Sequence, residues 1–186
     1  MINETEQKLL DAALKVFAEK GYTNATTKVI AEEAGFSENT LFRKFKNKEN
    51  LFYVVVIKNH EKMRNEFELV LVDNGFQTSK EFLKALIVNL ADTIENNFET
   101  FDLTFQVRSK EFEPIMLGFN KRLTEYLEKN LENSKIDCEI LSLTIISFIY
   151  LLNIEKNRGY TFVDSGEAIE KFVDNFFVFN EKSYVH

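Results

Sequence analysis

Residues 26–52 read TTKVIAEEAGFSENTLFRKFKNKENLF, and their punctuation decides the fold. Thr26 or Thr27 is a natural N-cap, because a hydroxyl accepts a hydrogen bond from an orphan amide one turn on. Val29, Ile30, Ala31 and Ala34 follow as an apolar stripe at helical spacing. Gly35 ends that helix, since glycine takes the left-handed conformation of a C′ residue at little cost. Phe36 plugs the corner, Ser37 caps a second helix, and Leu41, Phe42 and Phe45 anchor it. Helix, glycine turn and capped helix in about twenty residues make a helix-turn-helix pattern.

The charges agree. Arg43, Lys44, Lys46 and Lys48 put four cations in six residues with no acid among them. Beside Ser37, Asn39 and Thr40 they suit a surface that faces a phosphate backbone. Alone, such a run fits a solvated basic loop; the two capped helices around it favour the phosphate-facing surface.

On these residues the chain resembles the DNA-binding domain of the TetR family of transcriptional repressors. The resemblance is carried by Ala13, Phe17, Gly21-Tyr22, Thr26-Thr27, Ile30-Ala31, Ala34-Gly35, Ser37, Thr40-Leu41-Phe42, Phe45, Lys48-Glu49 and Leu51. It covers residues 9–52, about a quarter of the chain. It implies a homodimer that occupies a double-stranded DNA operator until a small molecule releases it.

In that arrangement the second helix of the motif enters the major groove, with its first residues nearest the base edges. Glu38, Asn39 and Arg43 are the expected base readers, because these side chains match cytosine, adenine and guanine edges respectively. Thr27, Ser37, Thr40, Lys44 and Lys48 are the expected phosphate contacts, which position the protein without specifying sequence. Two residues depart from the family. Phe42 stands where a tyrosine is usual, so a hydroxyl for phosphate is missing. Lys44 stands where an aromatic residue or histidine is usual and offers a charge in compensation.

The rest of the chain reads as helices. With 186 residues, 45% of them apolar, it is long enough for a sizeable core. One proline and six glycines favour long helices over many turns. We expect an all-α fold: an N-terminal three-helix head over residues 1–47 and a helical effector-binding and dimerisation domain over 48–186. A first helix over 4–20 places Leu9, Ala13 and Phe17 on one face, and Gly21 stops it. The motif helices span 27–34 and 37–45. A linker helix runs over 48–72, then helices over 79–97, 114–132, 136–156 and 165–179, with a short helix or loop at 98–109.

The phenylalanine-rich middle suggests an apolar pocket with a few polar groups. Phe82, Leu86, Asn89, Phe101, Phe105, Phe119 and Tyr126 are its candidate lining, and Thr93, Gln106 and Arg108 are further polar candidates. The competing reading is that these aromatics simply fill a core. The helix at 136–156 is apolar on more than one face and so needs more than one apolar neighbour. With 165–179 it would build a four-helix dimer interface through Ile145, Phe148, Ile149, Leu152, Ile169, Phe172, Val173 and Phe176.

Composition bounds the function. The net charge of −7 lies outside the head: residues 1–50 hold eight basic and eight acidic residues, and the remainder holds fifteen against twenty-two. One cysteine, Cys138, excludes an internal disulfide and fits a reducing compartment. No run of 18 apolar residues and no apolar signal core in MINETEQKLL points to a cytoplasmic protein. Two histidines, His60 and His186, form no zinc-site spacing, and no glycine loop cradles a phosphate. We therefore expect no metal, no cofactor and no enzyme. The expected function is a ligand-responsive repressor that binds a palindromic operator as a dimer and is released by a small lipophilic effector. Two other readings stand: a DNA-binding regulator governed by a protein partner or by no ligand, and an enzyme or carrier with a vestigial helix-turn-helix.

Overall fold

The computed structural model describes residues 3–72, 75–106, 113–131, 136–157, 159 and 163–182, without the side chains of 105, 106 and 178–182. Among the described residues there are nine helices and no strand. They are α1 (Glu4–Asn24), α2 (Thr27–Glu33), α3 (Glu38–Phe45), α4 (Lys48–Val70), α5 (Ser79–Asn96), α6 (Phe98–Gln106), α7 (Glu113–Asn130), α8 (Cys138–Asn157) and α9 (Ser165–Lys182). The segment expected as a short helix or loop is helical from Phe98 to Gln106.

The chain divides by packing into two units. One comprises Met1–Asn65 and Asn97–Glu113; the other comprises Glu66–Asn96 and Pro114–His186. The unit holding the head is therefore larger than the 1–47 head of the sequence reading. It takes in most of α4 and the whole of α6, because both supply apolar side chains to its core.

In the first unit α1 packs on α2 and α6, and α2 packs on α3. Leu9, Ala13 and Phe17 of α1, Ile30 of α2, Leu41 of α3, and Leu51 and Val55 of α4 are fully buried. Each of the larger side chains contributes roughly 1.5–3 kcal/mol by leaving water. Gly21 breaks α1 at φ 71°, ψ 161°, a region essentially reserved for glycine, and one further turn follows it. That turn carries Tyr22 into an aromatic group: its ring lies 5.9 Å from Phe17 and 4.8 Å from Phe52, and Phe17 meets Phe52 edge-on at 4.9 Å.

α4 and α6 also meet through buried polar groups. His60 Nε2 lies 2.6 Å from the Thr104 hydroxyl, which donates its proton to the Thr100 carbonyl at 2.7 Å. The hydroxyl has one proton and has given it away, so His60 Nε2 is the donor and Nδ1 carries no proton. Burial holds the His60 imidazole down to about pKa 4 and so neutral.

In the second unit α5 packs against α8 and α9. Phe82, Leu83, Leu86, Ile87, Leu90 and Ile94 of α5 recur at helical spacing and are buried, as are Leu123, Tyr126 and Leu127 of α7. Lys80–Asp174 at 2.8 Å and Lys84–Glu170 at 2.6 Å join the exposed edges of α5 and α9. Arg122 of α7 forks onto Glu68 at the end of α4, Nε to Oε1 at 3.0 Å and Nη2 to Oε2 at 2.7 Å, and reaches Glu125 at 3.2 Å. Tyr126 donates its hydroxyl to the Val72 carbonyl at 2.8 Å.

α8 is long and apolar enough to cross a membrane by length and composition, with a mean hydropathy of 1.6. Here it is a packed helix. Leu141, Ile145 and Ile149 are buried in the unit, and buried Ser142 donates to the Asn120 side-chain oxygen of α7 at 2.6 Å. Cys138 is a free, buried thiol, pushed up first by burial and then by Glu128 and Asp137.

Candidate nucleic-acid interface

Thr26 caps α2, accepting from the Val29 amide at 3.2 Å. At the other end, Phe36 N–H bonds the Ala31 carbonyl at 2.8 Å and Gly35 N–H bonds the Glu32 carbonyl at 3.0 Å. This is the paired ending in which the C′ residue must be left-handed, and Gly35 supplies φ 75°. Ser37 then caps α3, accepting from the Thr40 amide at 3.3 Å. Leu41 and Phe45 fix the inner face of α3, at 0% and 2% exposure.

The opposite face is open. Asn39, Phe42, Arg43 and Lys46 are exposed, at spacings of i, i+3, i+4 and i+7. Ser37 is exposed at the start of the helix. Lys46 ends α3 at φ 66°, ψ −48°, with the Asn47 amide bonded to the Phe45 carbonyl at 2.7 Å. That is the rarer, strained form of γ-turn, held by a residue other than glycine. Strain of this kind persists where its surroundings fix it: the Asn50 side chain donates to the Phe45 carbonyl at 3.0 Å, and Asn47 caps the Asn50 amide at 2.7 Å.

The expected contact residues do not all lie on this open face. Asn39, Arg43, Ser37 and Phe42 do. Glu38 and Thr27 are half-buried and bonded to each other, hydroxyl to carboxylate, at 2.5 Å. The Thr40 hydroxyl lies 3.0 Å from Ser37 Oγ. Lys44 is half-buried with its ammonium 3.9 Å from the Glu6 carboxylate. Lys48 donates to the Ala25 carbonyl at 2.7 Å and more weakly toward Thr23 at 3.4 Å, and sits 4.4 Å over the Tyr22 ring. Its ammonium satisfies orphan carbonyls at the end of α1, an internal role that sequence reading missed. Lys28 is an exposed cation outside the expected contacts, and Lys46, read in the phosphate-facing basic run but not singled out as a contact, is exposed as well. The i, i+3, i+4, i+7 register through Asn39 and Arg43 sets Lys46 apart from Lys44 and Lys48 within that run.

The pocket candidates separate. Phe82, Leu86 and Tyr126 are buried together in the second unit, with Phe82 and Tyr126 rings 5.6 Å apart. Phe119 is half-buried and meets Phe67 edge-on at 4.9 Å. Asn89 is exposed on α5, because its position falls opposite the apolar stripe. Phe101 is buried in the first unit, not the second. The side chains of Phe105 and Gln106, and Arg108, lie outside the described residues.

Among the dimer candidates, Ile145, Ile149, Ile169 and Val173 are buried within the unit itself and face its own core. Phe148, Leu152, Phe172 and Phe176 are half-buried, and the Phe148 and Phe172 rings stack at 4.8 Å. The open apolar residues of α8 are instead Ile140, Leu143 and Leu151, with Thr144 and Ser147 on the same side.

No group of three or more His, Cys, Asp or Glu that could hold a metal occurs among the described residues. Residues 9–55 match the family described as bacterial regulatory proteins, tetR family. Over 47 residues, 25% of each chain, the sequence is 53% identical to the uncharacterized HTH-type transcriptional regulator YvkB of Bacillus subtilis. YdgC, another uncharacterized HTH-type transcriptional regulator of Bacillus subtilis, is 25% identical over 156 residues, 78% of this chain and 77% of its own. The fold is similar to that of a TetR-like transcriptional regulator from Rhodococcus sp. RHA1, with a TM-score of 0.72 and 20% identity over 94% of this chain and 96% of that one. It is also similar to that of the transcriptional regulator FadR from Bacillus subtilis, solved in complex with stearoyl-CoA, with a TM-score of 0.64 and 20% identity over 90% and 96%. The all-helical fold with its capped helix-turn-helix, and these relatives, place the chain in the TetR family of transcriptional regulators; it is a regulator and not an enzyme.

Proposed function

We propose that the chain is a cytoplasmic repressor that binds a palindromic DNA operator as a homodimer and is released by a small lipophilic effector. The observation that carries DNA reading is the open face of α3. A polar and cationic stripe, Asn39, Arg43 and Lys46, stands on a helix whose other side is locked by Leu41 and Phe45. A rigid helix with such a stripe fits the major groove.

The face of α8 holding Ile140, Leu143 and Leu151 supports a homodimer, because three large apolar residues on one exposed side gain by covering each other. The effector class rests on the apolar, aromatic second unit and on the fold it shares with a regulator that holds stearoyl-CoA. Phe82, Leu86, Phe119 and Tyr126 remain the pocket candidates within that unit. An effector releases DNA only by binding the released conformer more tightly than the bound one.

The test is selection of duplexes from a randomised palindromic library by the purified chain, followed by titration of the selected duplex complex with stearoyl-CoA and shorter acyl-CoAs. Enrichment of one palindrome, with release by an acyl-CoA, is the expected result. Enrichment without release by any apolar compound would leave DNA reading intact and remove the lipophilic effector.

A further inference from the structure

We propose that the phenyl ring of Phe42 reads a thymine through its C5-methyl group, making it a sequence-specificity residue alongside Asn39 and Arg43. The inference rests on α3 entering the major groove. It begins from the placement of three large apolar side chains on one short helix. Leu41 and Phe45 are 0% and 2% exposed, as their core role demands, whereas Phe42 is 40% exposed. It stands in the exposed register Asn39, Phe42, Arg43, Lys46, with polar groups before and after it. With two fifths of its surface left in water, the ring contributes less to the stability of the chain than Leu41 or Phe45.

The chemistry of the ring narrows what it can meet. It has no donor, so a phosphate oxygen placed against it would lose water and gain no hydrogen bond. In the major groove the base-pair edges offer hydrogen-bond donors and acceptors and a single apolar group, the thymine C5-methyl. The neighbouring side chains suit polar edges: Asn39 for adenine and Arg43 for guanine. The cations Arg43 and Lys46 draw the same face onto a polyanion, which favours DNA over an apolar protein surface as the occupant. Burying one methyl group predicts about a fourfold effect on affinity for each half-site.

The test uses the full chain and the duplex it enriches from a randomised library. Each thymine is replaced in turn by deoxyuridine, which exchanges only the methyl for hydrogen, and binding is followed by fluorescence anisotropy. We expect one thymine position per half-site at which wild type loses about fourfold on the exchange. Phe42→Ser should bind the thymine and uracil duplexes equally there, and Phe42→Tyr, which keeps the ring, should still discriminate. Thermal unfolding of Phe42→Ser should fall only modestly below wild type and leave the chain folded at the assay temperature, since the ring is 40% exposed. Three results overturn the proposal: an enriched half-site with no thymine, the same uracil penalty in wild type and Phe42→Ser, or a Phe42→Ser loss that is equal on enriched and scrambled DNA and so reports the sugar–phosphate backbone. If the wild-type chain enriches no duplex at all, DNA reading itself fails, and that outcome is distinct from the other three.

Discussion

The Glu38 carboxylate accepts a hydrogen bond from the Thr27 hydroxyl at 2.5 Å, tying the start of α3 to the start of α2. Sequence reading expects both side chains to face DNA. The bond instead joins the two helices of the motif and takes one oxygen of the acid. A charged acceptor at a half-buried site makes such a bond worth roughly 1 kcal/mol after allowance for exposure. Thr27→Val should lower stability by about that amount in urea unfolding. An unchanged midpoint would show that the bond contributes nothing to holding the two helices.

Gly35 separates geometry from crowding. No atom lies within 4 Å of where its Cβ would stand, yet its φ is 75°. Gly35→Ala should therefore cost about 1–2 kcal/mol through backbone strain alone. Replacement by Asn, which tolerates the left-handed region, should cost less. Equal losses for both would point to something other than φ.

His60 gives the chain an acid-sensitive core. Its folded pKa, about 4, lies below the ordinary 6.5. The unfolded chain therefore binds the extra proton first, and stability is full above pH 6.5 and falls as pH drops toward 4. Between pH 7 and pH 5 the loss attributable to this group is about 2 kcal/mol. Urea unfolding at the two pH values measures it. A His60→Gln chain that folds should lose less over the same interval.

Lys46 and Lys48 are two residues apart and should behave differently. Lys46→Gly removes an exposed cation and relieves a strained turn, so it should raise stability by about 1 kcal/mol. It should also flatten the salt dependence of DNA affinity, by about 0.9 in slope for each phosphate that the lysine neutralises. Lys48→Met removes the ammonium from the Ala25 carbonyl and should destabilise the chain. Urea unfolding together with affinities at several salt concentrations separates the two effects.

The exposed α8 stripe predicts a further result. Leu143→Glu or Leu151→Glu should convert a dimer to a monomer in sedimentation without lowering the unfolding temperature of the monomer, since both residues are already in water there. Ile145→Glu should instead unfold the second unit, because that side chain is fully buried.

The helix-turn-helix was legible because its signals are local. Thr26, Gly35 and Ser37 each act within one turn of themselves, and the structure finds every one in its capping role. The stripe of α5 was legible for the same reason, with a clean period and one apolar face. What escaped depends on distant partners. Lys48 is claimed by carbonyls more than twenty residues earlier, and Glu38 by a hydroxyl eleven residues earlier. α8 escaped for a different reason. It is apolar nearly all round, so periodicity could not tell Ile145 and Ile149, which face their own core, from Ile140, Leu143 and Leu151, which do not.

The central claim is that the open face of α3 reads DNA sequence. Fluorescence anisotropy of the purified chain on the DNA upstream of its own gene, against a scrambled duplex and across salt concentrations, tests it most directly. Tight binding to the upstream duplex alone, weakening steeply with salt and abolished in Asn39→Ala/Arg43→Ala, is the predicted result. Equal, weak binding to both duplexes, unaffected by that pair of substitutions and repeated across randomised palindromes, would contradict the claim.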